Sequence, residues 1–108
     1  MSKASIPEDI QQQVSAIIEQ FNRTTMDAPR DYYAVRFKGR FAYLDRCQIV
    51  SVGPACRLEY GGSMEKWRFA IYRYSHNFYD PDAYWFPGSE HVDGTVEGAL
   101  KAVLQAYP

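Results

Sequence analysis

Residues 66–75 read KWRFAIYRYS. Trp67, Phe69 and Ile71 alternate with Lys66, Arg68, Ala70, Tyr72 and Tyr74. A period of two is the period of a β-strand, whose successive side chains point to opposite faces. On a helix the three large apolar residues would scatter round the axis. The stretch therefore predicts a strand with an apolar face toward a core and a guanidinium- and phenol-bearing face away from it.

Working back toward the N-terminus, Gly61-Gly62-Ser63 turns the chain. Before it, Ala55 to Tyr60 sets Cys56, Leu58 and Tyr60 against Arg57 and Glu59. Val50 to Pro54 reads as a connection, Arg40 to Gln48 as a second aromatic-rich strand, and Lys38-Gly39 as a tight turn. Tyr32 to Phe37 alternates Tyr33, Val35 and Phe37 with Tyr32, Ala34 and Arg36. Short connections between successive strands favour antiparallel neighbours.

The two ends have the period of a helix. Ile10, Val14, Ile17, Ile18 and Phe21 form one apolar stripe, with Ser5 and Glu8 spaced as a capping box and Pro7 in the first turn. Asn22 to Thr25 are poor helix formers, and Pro29 enforces the end. At the other end Thr95 caps a second stripe of Val96, Ala99, Leu100, Val103, Leu104 and Tyr107. The cheapest way to bury both stripes lays them on the same side of the sheet. The expectation is one α+β domain over residues 1–108: an N-terminal helix, a four-stranded antiparallel meander and a C-terminal helix, both helices on one face.

Composition narrows the function classes. The chain has 108 residues, 46% of them apolar, enough for one core and not for two. No apolar run approaches the roughly 18–20 residues of a membrane span. Met1 to Glu8 lack the basic-then-apolar layout of a secretion signal, so a cytoplasmic protein is expected, with Cys47 and Cys56 reduced. The net charge of −1 hides segregation: residues 30–75 hold nine Lys or Arg against four acids, and the rest holds three against nine.

The segment from Tyr32 onward resembles a family of small bacterial proteins classed as a domain of unknown function. The residues that carry the likeness are Lys66-Trp67-Arg68-Phe69 running into Tyr72-Arg73, then His76-Asn77-Phe78-Tyr79-Asp80-Pro81, and a closing helix that opens Thr95-Val96-Glu97-Gly98-Ala99-Leu100. The resemblance implies no catalytic residue. The helix–sheet–helix order is also that of the double-stranded RNA-binding domain, which needs a Lys-rich start to its second helix to grip phosphates. Here that helix opens on Thr95-Val96-Glu97, so that reading is set aside.

The face turned away from the helices carries the ligand-binding candidates Arg36, Arg57, Arg68, Tyr72 and Tyr74, which Tyr32 and Lys66 join, and Asp45 and Glu59 neutralise part of its charge. Aromatics among guanidinium groups suit stacking and anion binding, and single-stranded nucleic acid is the strongest candidate ligand. The competing account is a solvated face whose Arg, Tyr and Glu pair across strands. His76 to Asp93 is long for a structureless loop. Its aromatics Phe78, Tyr79, Tyr84, Trp85 and Phe86 suit a protein contact, and a homo-oligomer through this loop or the open sheet is expected.

Catalysis and cofactors find little support. His76, Asp80, Asp82, Glu90, His91 and Asp93 are metal-ligand types without a metal-ligand spacing, and no metal is expected. Gly61-Gly62-Ser63 is not a phosphate loop. A Cys–His pair would have to be made in space from strand cysteines, which are usually buried and inert. The leading expectation is a non-enzymatic interaction module that self-associates. The alternatives are a binder of an anionic ligand or single-stranded nucleic acid and, third, a small-molecule enzyme.

Overall fold

The alternating middle of the chain forms one antiparallel sheet, and the two helical stripes close it from one side. The computed structural model describes residues 5–83 and 85–108. In chain order it contains α1 (Glu8–Thr24), β1 (Asp31–Lys38), β2 (Phe41–Gln48), β3 (Ser51–Glu59), β4 (Arg68–Arg73), β5 (Phe78–Asp80), a single 3-10 turn (Ser89–His91) and α2 (Val96–Ala106). The sheet has five strands in the order β1-β2-β3-β4-β5, every neighbouring pair antiparallel.

The register fixes which residues share a face. Val35 stands opposite Leu44, Leu44 opposite Cys56, and Cys56 opposite Ile71, while Phe37, Ala42, Leu58 and Phe69 make the next row. These rows meet Val14 and Ile18 of α1 and Val96, Ala99, Leu100 and Val103 of α2 in a single core with Tyr33 and Trp67. Both helices therefore lie on one face, as their stripes predict. Phe86 is buried too, stacked on Phe69 with ring centroids 5.8 Å apart, and it packs with Ile71 and Ala102.

Three local expectations are corrected. There are five strands rather than four. Asn77, in the left-handed region at φ 54°, turns the chain after β4 and returns it as β5, which pairs through Tyr72–Tyr79 and is clamped by an Arg73–Asp80 ion pair of 2.9 Å. Asn tolerates that backbone region better than most residues. Second, residues 51–54 are strand, not connection: they pair with β2 across a bulge at Leu44/Asp45. Third, Ser5 does not cap α1. Pro7 holds the cap position without a side-chain hydrogen bond, and the helix is anchored instead by buried Ile6, whose N–H donates to the Gly39 carbonyl. α1 ends at Thr24, with Thr25 as its C-cap, within the stretch of poor helix formers.

Asn22 earns its place in that last turn. Its side-chain amide donates to the Tyr33 carbonyl and accepts from the Tyr33 N–H, both at 2.9 Å. A strand would make the same pair of bonds, so Asn22 covers part of the outer edge of β1. On the neighbouring strand, directly opposite Tyr33, Arg46 forks onto Asp31 at 2.6 and 2.7 Å and donates to the Tyr107 carbonyl at 2.7 Å. One cation thus ties β1 and β2 to the C-terminal end of α2, where a positive charge also suits the helix dipole. Among the described residues no helix is long and apolar enough to cross a membrane.

Candidate functional site

The sheet face opposite the helices is built by the other parity of the strands. It carries Arg36 and Lys38 from β1, Phe41, Tyr43 and Asp45 from β2, Arg57 and Glu59 from β3, Arg68, Ala70 and Tyr72 from β4, and Tyr79 from β5. Four of the five residues expected to form a ligand face, Arg36, Arg57, Arg68 and Tyr72, are therefore together. Four cations face two carboxylates there, an excess of positive charge in keeping with the basic middle of the chain.

No helix covers this side, yet Ala70 is only 2% exposed. The small Ala70 lies directly opposite Arg57. Large side chains close over it: Tyr79 meets Tyr43 edge-on with centroids 5.4 Å apart and Tyr72 at 5.0 Å, and Phe41 flanks Tyr43 at 6.1 Å. The result is an aromatic layer drawn from β2, β4 and β5. Each edge-to-face contact is worth about 0.5–1.5 kcal/mol beyond its burial.

The arginines differ in what they are already bound to. Arg36 sits over Tyr43 at 5.0 Å and forks onto Asp45 at 2.7 and 3.2 Å, a hydrogen-bonded pairing that holds its guanidinium firmly charged. Arg68 is loosely placed, 3.9 Å from Glu59, which also takes Arg40 at 3.1 Å. Arg57 stands in the middle. Its guanidinium lies over Phe41 at 4.8 Å and over Tyr79 at 5.6 Å. Among the described residues it has no carboxylate partner within ion-pair distance and no side-chain hydrogen bond. The cation–π contacts hold the group in place without using its five N–H donors.

Tyr74, the fifth expected ligand residue, leaves the flat face. It lies one residue beyond β4, edge-on to Tyr72 at 4.9 Å and to Tyr107 at 5.5 Å, and its hydroxyl donates to the Pro54 carbonyl at 2.6 Å. There it lines a cleft of about 340 Å³ with Val52, Gly53, Pro54, Ala55 and Tyr107. Burial raises the Tyr74, Tyr79 and Tyr107 hydroxyls above their ordinary titration range. The phenols remain neutral donors at physiological pH.

The aromatics expected to form one interface are dispersed. Tyr79 belongs to the open face, Phe86 to the core, and Phe78 and Trp85 are exposed, Trp85 at 81%. Tyr84 lies outside the described residues. Phe41 and Tyr43 were not singled out by sequence, although their strand was marked as aromatic-rich; phasing β2 against β1 would have found them.

Cys56 is fully buried and its thiol is pushed up by that burial, away from the reactive thiolate. His76 shares a hydrogen bond with the Ser75 hydroxyl, and His91 with Gln105. Among the described residues no group of three or more His, Cys, Asp and Glu is placed to hold a metal ion. No protein-family model matches the chain, and no significant match was found among curated protein sequences or among solved structures.

Proposed function

We propose that this chain is a non-enzymatic binding module of the cytoplasm and that its open sheet face binds single-stranded nucleic acid. The observation that carries the reading is Arg57: a central guanidinium clamped between Phe41 and Tyr79 and free of any carboxylate among the described residues. Arg57 would meet phosphate, flanked by Lys38 and the loosely paired Arg68. The rings of Tyr72, Tyr43 and Tyr79 offer surface to bases, at about 1–3 kcal/mol for each base stacked. The two free cysteines, Cys47 and Cys56, suit a reducing compartment.

Fluorescence anisotropy with labelled single-stranded oligonucleotides at low salt tests this. Binding should weaken steadily as salt rises, because phosphate contacts release counterions. Arg57→Ala should weaken it at least tenfold, and Asp45→Asn, which releases Arg36, should tighten it. Absence of binding at tens of micromolar protein, or binding indifferent to salt, would overturn the reading.

Self-association through the loop is a second reading, favoured by the exposure of Trp85 and Phe78 alone. A dimer that Trp85→Ser dissolves in sedimentation would establish it.

A further inference from the structure

The hairpin that joins β2 to β3 is unlike an ordinary surface turn. Its loop residues are Ile49 and Val50, and with Val52 they expose three β-branched aliphatic side chains, at 77%, 91% and 70%. Turns are usually built from Gly, Asn, Asp, Pro and Ser. From Cys47 to Cys56 no residue is charged.

This hairpin also has a free edge. β4 pairs only with Cys56–Glu59, so along residues 51–55 the side of β3 away from β2 has no neighbouring strand among the described residues. Gln48 opposite Ser51 closes the two-residue loop. Such a closing pair exchanges hydrogen bonds, and the alternation then turns the backbone groups of Val52 and Pro54 outward. The Tyr74 hydroxyl, which reaches the Pro54 carbonyl from that side, agrees with this phase. Proline at position 54 has no N–H and its outward carbonyl is held by Tyr74, so the unpaired donor and acceptor of this edge are those of Val52. Natural edge strands are blunted by charge, proline or bulges, and this one carries no charge, its guards being Pro54 and the bulge beside it.

We propose that two copies of this chain pair antiparallel along this edge, about a two-fold axis at Val52. At a two-fold axis each residue meets its own copy or a close neighbour, so a charge there would be repelled by itself, and an uncharged segment is what the symmetry tolerates. With Val52 opposite the partner's Val52, the two exchange N–H and C=O bonds. The same register brings the Val50 end of the turn toward the partner's Pro54. Pro54 and Ala55 line the cleft that Tyr74 and Tyr107 wall. The exposed aliphatic tip of each copy therefore falls at the rim of the other's cleft, beside Pro54 and Tyr74, and the contact is made twice. Tyr74 packs against Gly53, where a Cβ would approach its hydroxyl to 2.6 Å, so the cleft wall is fixed by the same strand that pairs.

Sedimentation velocity of the whole chain, from 1 to 100 µM, tests the pairing. The wild type should show a concentration-dependent dimer. Val52→Lys places like charges across the axis and Val52→Pro removes the outward donor; each should raise the dissociation constant at least tenfold. Val52 is exposed, so both variants should keep the wild-type circular dichroism and melting behaviour. Trp85→Ser should leave the dimer intact, which separates this interface from one made by the aromatic loop. A wild type that stays monomeric at 100 µM, a dimer that survives both Val52 variants, or one dissolved by Trp85→Ser would each overturn the proposal.

Discussion

The two faces of the sheet are built from the same strands, yet they use aromatic and charged residues differently. On the helix face the large side chains pack into the core, and Arg46 there is committed to Asp31 and the Tyr107 carbonyl. On the open face the rings lean on one another and the central cation, Arg57, is held among the described residues by π-systems. The difference teaches that a closed set of partners serves stability, whereas a positioned group with unused donors is available to something else.

The contrast is most severely tested by truncation on the helix face. Leu100 of α2 is fully buried in the core that α1 and the sheet share, and Leu100→Ala should cost about 2–5 kcal/mol in urea unfolding. A loss below 1 kcal/mol would mean that α2 is not seated as described. Arg46→Ala comes next. It removes charged hydrogen bonds and leaves half-buried Asp31 without its partner, for about 1.5–3 kcal/mol. Asp31 should then titrate nearer its ordinary value, since hydrogen bonding to Arg46 is what holds it below that value.

A pH titration sharpens the comparison more gently. Burial pushes the Tyr33 hydroxyl up to about 12, and Tyr74, Tyr79 and Tyr107 are raised in the same direction. A raised folded-state pKa means the folded state keeps protons that the unfolded chain releases. That stability is complete below pH 10 and is lost as pH rises toward 12. The urea midpoint should therefore fall steadily above pH 10, and Tyr33→Phe should flatten part of the fall. A midpoint indifferent to pH over that range would contradict the burial of Tyr33.

Much of this architecture was legible because two periods, 2 and 3.6, separate cleanly along the chain. Leu58 and Ile71 announce one face, and Val14 with Ile18 announce the stripe that covers it. β5 escaped because three residues are too few to show alternation. Residues 51–54 escaped because Gly53 and Pro54 signal a loop, and a proline is accommodated here only because it stands on a free edge. The parity of Arg36, Arg57, Arg68 and Tyr72 could be read from their strands. Which arginine was left unpaired could not, since that depends on cross-strand register: Asp45 meets Arg36 because Tyr43 stands opposite Arg36 and Ala34 opposite Asp45. Tyr74 illustrates the same limit. Its parity matches Tyr72, but β4 ends one residue earlier and the side chain turns toward Pro54.

The claim that Arg57 is kept for a ligand rather than for the fold is tested most directly by measuring one variant twice. Arg57→Ala should lower unfolding free energy by no more than about 1 kcal/mol, the scale of an exposed cation–π contact. The same protein should lose at least tenfold in affinity for a single-stranded oligonucleotide at low salt, with a shallower salt dependence than wild type. An Arg57→Ala protein that binds like wild type, or one whose only defect is a large loss of stability, would contradict the account.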